Sequence, residues 1–367
     1  MAARQRLQPS DLDAMLAAKE MVLVAGSGGV GKTTIAAALA ARAALEIGGR
    51  VLVLTVDPAR RLADALGIGD LGNTAVRIDP EAVAAASGTR QRGGELWAAM
   101  LDTKAGWDEL IARHAPDAAV RDAVLANPLY ENLTGRFVHS HDYLAMEQLH
   151  ELHASGAFDL IVVDTPPSRN ALDLLDAPGR MREFFGSRLL QWLTVPYRSR
   201  LFTAVSRPFY QVADRILGSR FLEDIAEFFV LFGAMEPAFV RHATDVESLL
   251  SDHRTSFVVV TTLEAAPAHE AMYLLDELER RRFHLGAVIA NRTVPRRYTG
   301  RAATTSARRI QTGVVDEGLD REVAAVIGAT DAEVAGVLES VAEHFSQIAL
   351  VAQRESERRS ELAALSP

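Results

Sequence analysis

Gly26-Ser27-Gly28-Gly29-Val30-Gly31-Lys32-Thr33 is the stretch on which the fold turns. An apolar run, MVLVA at 21–25, leads into it. A helical pattern over 33–47 follows, with Ile35, Leu39 and Ala43 on one face and Gly48-Gly49 as the stop. The eight residues match G-x-x-x-x-G-K-[ST], in the strand–turn–helix setting that this motif requires. Each residue type has a physical task. Glycine lets main-chain N–H groups turn inward around an anion with no Cβ in the way. The helix that follows aims its positive end at the same point. Lys32 offers an ammonium group to β- and γ-phosphates. Thr33 offers a hydroxyl to Mg²⁺, a cation suited to a sparse, oxygen-only site. Gly26, Ser27, Gly28, Gly29, Val30, Gly31, Lys32, Thr33 and Thr34 are therefore expected to bind the phosphates of a nucleotide.

Working outward, further apolar runs lie at 51–56 (VLVLTV), 76–78, 159–164 (DLIVVD), 257–262 (FVVVTT) and 285–291 (LGAVIAN), with a seventh at 323–327 (VAAVI). They are apolar on both faces and separated by helical stretches, as a parallel sheet covered by helices requires. The expected fold is α/β: a mostly parallel P-loop NTPase sheet with a helical subdomain inserted between strands. Two long stretches, Glu95 to His153 and about Arg180 to Leu250, read as all-helical and are too long for simple crossovers. The chain is expected to be a single domain over 1–367, with the helical subdomain contributed by about 92–153 and 180–250.

Carboxylates mark the strand ends. Asp164 closes DLIVVD and suits a magnesium shell, with Asp159 a solvated strand start. Asp57 ends VLVLTV, so it falls on the same sheet edge, where open α/β sheets place ligands. A carboxylate there can orient and deprotonate an attacking water, or cap the strand before Pro58.

Composition sets the outer limits. The chain has 367 residues, 49% of them hydrophobic, a formal charge of −9 and no cysteine. It can build a core, which excludes wholesale disorder. Zero Cys excludes disulfides, thiolate zinc, iron–sulfur clusters and a Cys nucleophile. The longest apolar runs fall far short of the ~20 residues that span a bilayer, and residues 1–20 do not read as a secretory signal. A cytoplasmic protein is expected, at most peripheral to the inner face of a membrane. The acidic balance argues against nucleic acid as partner.

GSGGVGKT (Gly26–Thr33), DPARRL (Asp57–Leu62) and DTPPSRN (Asp164–Asn170) together resemble the ArsA family of P-loop ATPases. That family includes arsenite-pump ATPases and those that deliver tail-anchored membrane proteins. Its deviant phosphate loop reads G-K-G-G-x-G-K-T, its first switch D-P-A-H-N-L and its second D-T-A-P-T-G-H. The resemblance covers nearly the whole chain. It implies ATP and Mg²⁺ as cofactors and ATP hydrolysis as the activity. It also implies that Asp57 positions the hydrolytic water with Lys32 at the phosphates, that Thr33 and Asp164 hold Mg²⁺, and that Asn291 and the segment through Pro295 wall the adenine.

Departures from the family pattern matter equally. Ser27 stands where the family has the Lys that reaches a dimer partner's phosphates. Arg60 and Arg61 stand where His and Asn are usual, and Arg169 where Gly is usual. Either the chain pairs with a paralogous subunit that keeps the Lys, or one of these arginines replaces the missing charge. Both homodimer and heterodimer stay open. The family's zinc-binding and arsenite-binding cysteines are absent, so neither ligand is expected through thiolates.

The stretch 180–250 holds most of the aromatic residues: Phe184, Phe185, Trp192, Tyr197, Phe202, Phe209, Tyr210, Phe221, Phe228, Phe229, Phe232 and Phe239. They form either the helical subdomain's own core or a groove with a basic rim. Three functional readings follow: a carrier of a hydrophobic client, the ATPase subunit of a membrane transport system, or a weakly hydrolysing nucleotide-binding assembly module.

Overall fold

The computed structural model describes residues 9–56, 61–69, 71–72, 74–79, 93–101, 106–128, 130, 140–185, 227–231, 233–295, 298, 300–312 and 319–365. Its strands are β1 (Met21–Ala25), β2 (Arg50–Thr55), β3 (Val76–Arg77), β4 (Glu95–Met100), β5 (Leu160–Asp164), β6 (Thr255–Thr261) and β7 (Leu285–Ala290). They form one seven-stranded sheet in the order β3-β4-β2-β5-β1-β6-β7. Every pairing is parallel except β3 with β4. This is the α/β architecture expected from the sequence.

The physical reason lies in the strands. Every residue of β1, β5 and β6 is buried, so none needs the polar alternation of a half-solvated strand. Alternate residues feed two separate cores. Val22, Val24, Val53, Val162, Val258 and Val260 face α1 (Pro9–Ala17), α2 (Lys32–Arg42) and α3 (Arg61–Leu66). Leu23, Leu52, Leu54, Val163, Phe257 and Val259 face the opposite layer. Each fully buried Leu or Phe contributes about 1.5–3 kcal/mol relative to exposure.

That opposite layer holds α6 (Ser140–Ala154), α7 (Ser168–Phe185), α8 (Glu236–Ser251) and α9 (Ala265–Arg280). Beyond it, α4 (Gly106–His114) and α5 (Ala118–Ala126) close a third core around Trp107, Leu110, Ile111, Tyr143 and Phe239. Phe228 is buried there and Phe229 packs against it. Trp192, Tyr197, Phe202, Phe209, Tyr210, Phe221 and Phe232 lie outside the described residues, as do the side chains of Phe184 and Phe185. The chain ends in α10 (Arg301–Gln311), α11 (Leu319–Ile327) and α12 (Asp331–Leu365).

Two segments correct the sequence reading. Val323–Ile327, expected as a strand, belongs to α11. A short apolar run fits either period. Here Ala324 is buried while Val326 faces solvent, so only one helical face is covered. Glu95, expected to open an all-helical stretch, instead opens β4, which pairs with β2 from Arg50↔Glu95 to Thr55↔Met100. ELWAAM is rich in good helix formers, but the free edge of β2 outweighs that weak preference. Among the described residues of this stretch, the first helix is α4.

Among the described residues no helix is long and apolar enough to cross a membrane.

Candidate functional site

The carboxyl ends of β1, β2, β5, β6 and β7 share one sheet edge because these strands run parallel. The glycine loop leaves β1 at that edge. Gly26 holds φ +155°, and a Cβ there would lie 2.0 Å from the carbonyl oxygen of Val260 on β6. Gly31 holds φ +96° as the N-cap of α2. A Cβ at Gly31 would lie 2.4 Å from Asn291 Nδ2. Gly26 is thus closed to any side chain, while a side chain at Gly31 would meet a strained φ and have to displace the Asn291 amide, so the backbone shape follows from the glycines.

Lys32 opens α2 and is buried; its Nζ donates to the Ser27 carbonyl oxygen at 2.9 Å. The ammonium is folded across the loop whose amides it would share with an anion. Thr33 is half-buried and Thr34 exposed in the same first turn. No side chain caps the helix at Gly31, which leaves its first amides and its dipole for a ligand.

Ser27 is buried at 6% exposure, and its Oγ has no hydrogen-bond partner. Its side chain points into the protein rather than outward.

Asp164 ends β5 and is 2% exposed. Its Oδ2 accepts a hydrogen bond from Thr55 Oγ1 at 3.3 Å. Thr55 lies opposite Asp164 in the β2–β5 register, and Val56 N donates to the Asp164 carbonyl oxygen at 3.2 Å. Sequence reasoning missed Thr55; its signal was a polar residue ending the apolar run VLVLT. Asp57 and Arg60 lie outside the described residues. Thr55, the last residue of β2, and Val56 after it lie beside Asp164, just ahead of Asp57 in the chain. Arg61 begins α3 and is exposed; the backbone of Arg169 is in the first turn of α7, and its side chain lies outside the described residues.

Asn291 follows β7, and its N–H donates to the Thr261 carbonyl oxygen at 2.7 Å. Its Nδ2 donates to the Val30 carbonyl oxygen at 2.8 Å, and its Oδ1 accepts from Arg292 N at 2.9 Å. The amide is therefore docked on the glycine loop. Pro295 is exposed beyond it. The segment between them is tied to α12, because Val294 N donates to Glu355 Oε2 at 2.8 Å.

The donor set suits a nucleotide with magnesium. A buried ammonium and uncapped helix amides meet an anion's needs. A threonine hydroxyl and a buried carboxylate at the same edge are the hard oxygen donors that Mg²⁺ prefers.

Strand, glycine loop and helix in this order on a mostly parallel sheet make up the P-loop NTPase architecture. Within that class the chain belongs to the ArsA family of anion-transporting ATPases, whose family model matches residues 19–348. Members of that family are ATP hydrolases. The chain is 29% identical over 277 residues to SCO2128, an uncharacterised Streptomyces coelicolor protein, covering 75% of this chain and 62% of that one. The matched part thus spans less than two thirds of the Streptomyces protein. It is 26% identical over 340 residues to ATPase BagA of Mycobacterium tuberculosis, covering 89% of this chain and 80% of that one. It is 25% identical over 289 residues to ATPase GET3 of Malassezia globosa, covering 77% and 76% respectively.

Proposed function

We propose that the chain binds ATP with Mg²⁺ at Gly26–Thr33 and hydrolyses it, and that nucleotide state is passed to the helices beside the sheet. The carrying observation is the loop itself: three glycines at positive φ, Gly26, Gly29 and Gly31, with buried Lys32 at the start of an uncapped helix. Lys32 would neutralise the β- and γ-phosphates, with the amides of residues 28–34 around them. Thr33 and Asp164 would hold Mg²⁺, which when bound supplies charge against the phosphate oxygens. Asp57 would orient the attacking water and accept its proton. Arg60, Arg61 and Arg169 are the positions from which a guanidinium could reach the transferred group. Asn291 and Pro295 would contact the adenine; for Asn291 this means giving up its bond to Val30.

Coupling has a short path. Asp164 is followed within four residues by α7, whose Leu174 and Leu175 pack on the sheet and whose Ala177 packs in the helical core. A shift of the 164–167 segment on loss of the γ-phosphate would be carried along α7. The working form would be a dimer, with itself or with a paralogue, whose helical parts handle a hydrophobic client or a membrane transport partner.

Calorimetry and phosphate release test this. ATP is expected to bind in the presence of magnesium, and Asp57→Asn to keep that binding while losing turnover. Failure of both the lone chain and its natural assembly to bind ATP or ADP would refute the proposal.

A second reading rests on Ser27. A buried hydroxyl has neither the charge nor the reach of the family's Lys. The chain would then be a catalytically weak nucleotide-binding subunit that works with a Lys-bearing partner. Fast hydrolysis by the purified chain alone excludes this reading; activity that emerges only on mixing with such a paralogue favours it.

A further inference from the structure

Away from the phosphate loop, four side chains with metal-binding chemistry converge inside the helical core. His114 ends α4, Glu147 and His150 lie on α6, and His242 lies on α8. Glu147 and His150 are three residues apart and so share a helix face. Glu-x-x-His projecting into a bundle, joined by ligands from facing helices, is a recurrent way to build a metal centre.

The distances fit. His114 Nε2 and His242 Nδ1 each lie 2.9 Å from Glu147 Oε1. The ligand atoms of these three residues all lie within 4.8 Å of one another. Ligands about 2.0–2.2 Å from a tetrahedral ion stand roughly 3–3.5 Å apart. The His114 contact is a hydrogen bond. The His242 contact is not: its Nδ1 is buried and has no hydrogen-bond partner despite the short distance. Two nitrogens thus converge on one carboxylate oxygen, and only one of them is aligned to share a proton with it. His150 Nδ1 is likewise buried and without a partner, and its ring centroid lies 5.9 Å from that of His242. Tyr143 donates its hydroxyl to Glu147 Oε2 at 3.3 Å, which fixes the carboxylate.

Access is through His242, whose side chain is 31% exposed while those of His114 and Glu147 are 3% and 1%.

We propose that His114, Glu147 and His242, with His150 as the nearest further ligand, form a binding site for a divalent transition metal of the Zn²⁺ class. Nitrogen and carboxylate donors without sulfur suit Zn²⁺ and its neighbours rather than Ca²⁺ or Mg²⁺. The ion would staple α4, α6 and α8. The proposal does not depend on ATP hydrolysis.

The test uses the full chain, stripped with chelator and free of nucleotide. Titration with ZnCl₂ should give one equivalent bound at sub-micromolar affinity, and CoCl₂ should give the visible bands of a low-coordinate cobalt site. Zn²⁺ should also raise the melting temperature. His242→Ala, at the partly exposed ligand, should weaken Zn²⁺ binding at least tenfold and remove the cobalt bands, with circular dichroism unchanged. Glu147→Gln should do the same; should it fail to fold, His150→Ala serves as the second arm. No zinc bound at 100 µM metal, or parental affinity in these variants, overturns the site.

Discussion

Gly31 and Asn291 meet where the glycine loop is held in place. The asparagine amide occupies the space that a side chain at 31 would need. Gly31→Ala would add strain from a positive φ to that clash, and about 1–3 kcal/mol of stability should be lost. Urea unfolding reads the cost directly. Lys32→Ala removes the charge nearest the proposed phosphates. ATP affinity or turnover should fall on the order of 10²-fold, with the fold unchanged by circular dichroism. Thr55→Val deletes the hydroxyl that donates to Asp164. A cost of about 1–2 kcal/mol is expected for leaving a buried carboxylate one donor short, read as a lower urea midpoint at constant slope.

At the scale of elements, α12 is more than a tail. It is 35 residues long. Glu355 accepts from Val294 N after β7, and Arg358 Nη1 donates to the Leu263 carbonyl oxygen after β6. Its Leu362 is buried in the core that covers the sheet. One helix thus clasps the two segments that follow β6 and β7, on the edge where the adenine is proposed to lie. Glu355→Ala together with Arg358→Ala should cost about 2–4 kcal/mol if each bond to a charged group counts for about 1–2. Amide exchange around 291–295 should accelerate in that variant. Unchanged protection there would mean that α12 does not hold this segment.

Across the whole molecule, the sheet and the helical core are not separate bodies. Tyr143 and Leu144 of α6 lie in the helical core, while Met146 and Leu149 of the same helix lie in the sheet's core. On α8, Phe239 and Ala243 belong to one, and Val246, Leu249 and Leu250 to the other. Helices shared in this way leave no plane along which the two could part without exposing both. The two cores are therefore expected to unfold together. Trp97 on β4 and Trp107 in the helical core provide local reporters. Their fluorescence transitions in urea, isolated by Trp→Phe replacements, should share one midpoint. Leu174→Ala, at a position with no exposure, should move both by the same amount, a loss of about 2–5 kcal/mol. Two midpoints would count against a shared core.

What the sequence determined by itself was local or periodic in character. A glycine loop between an apolar run and a helix has few physical solutions, so that turn and five of the parallel strands were legible from Met21–Ala25 to Leu285–Ala290. Strand-end carboxylates followed from the same logic, since parallel strands bring their carboxyl ends to one edge. The remaining features depended on partners distant along the chain. Glu95–Met100 became a strand because β2 offered an open edge, and 323–327 became helix because α12 offered a face. Thr55 met Asp164 through a register across 109 positions. His114, Glu147 and His242 carry no signal as a set until three helices bring them within reach of one ion. Pattern reports what a segment prefers alone; packing decides which distant groups it must satisfy.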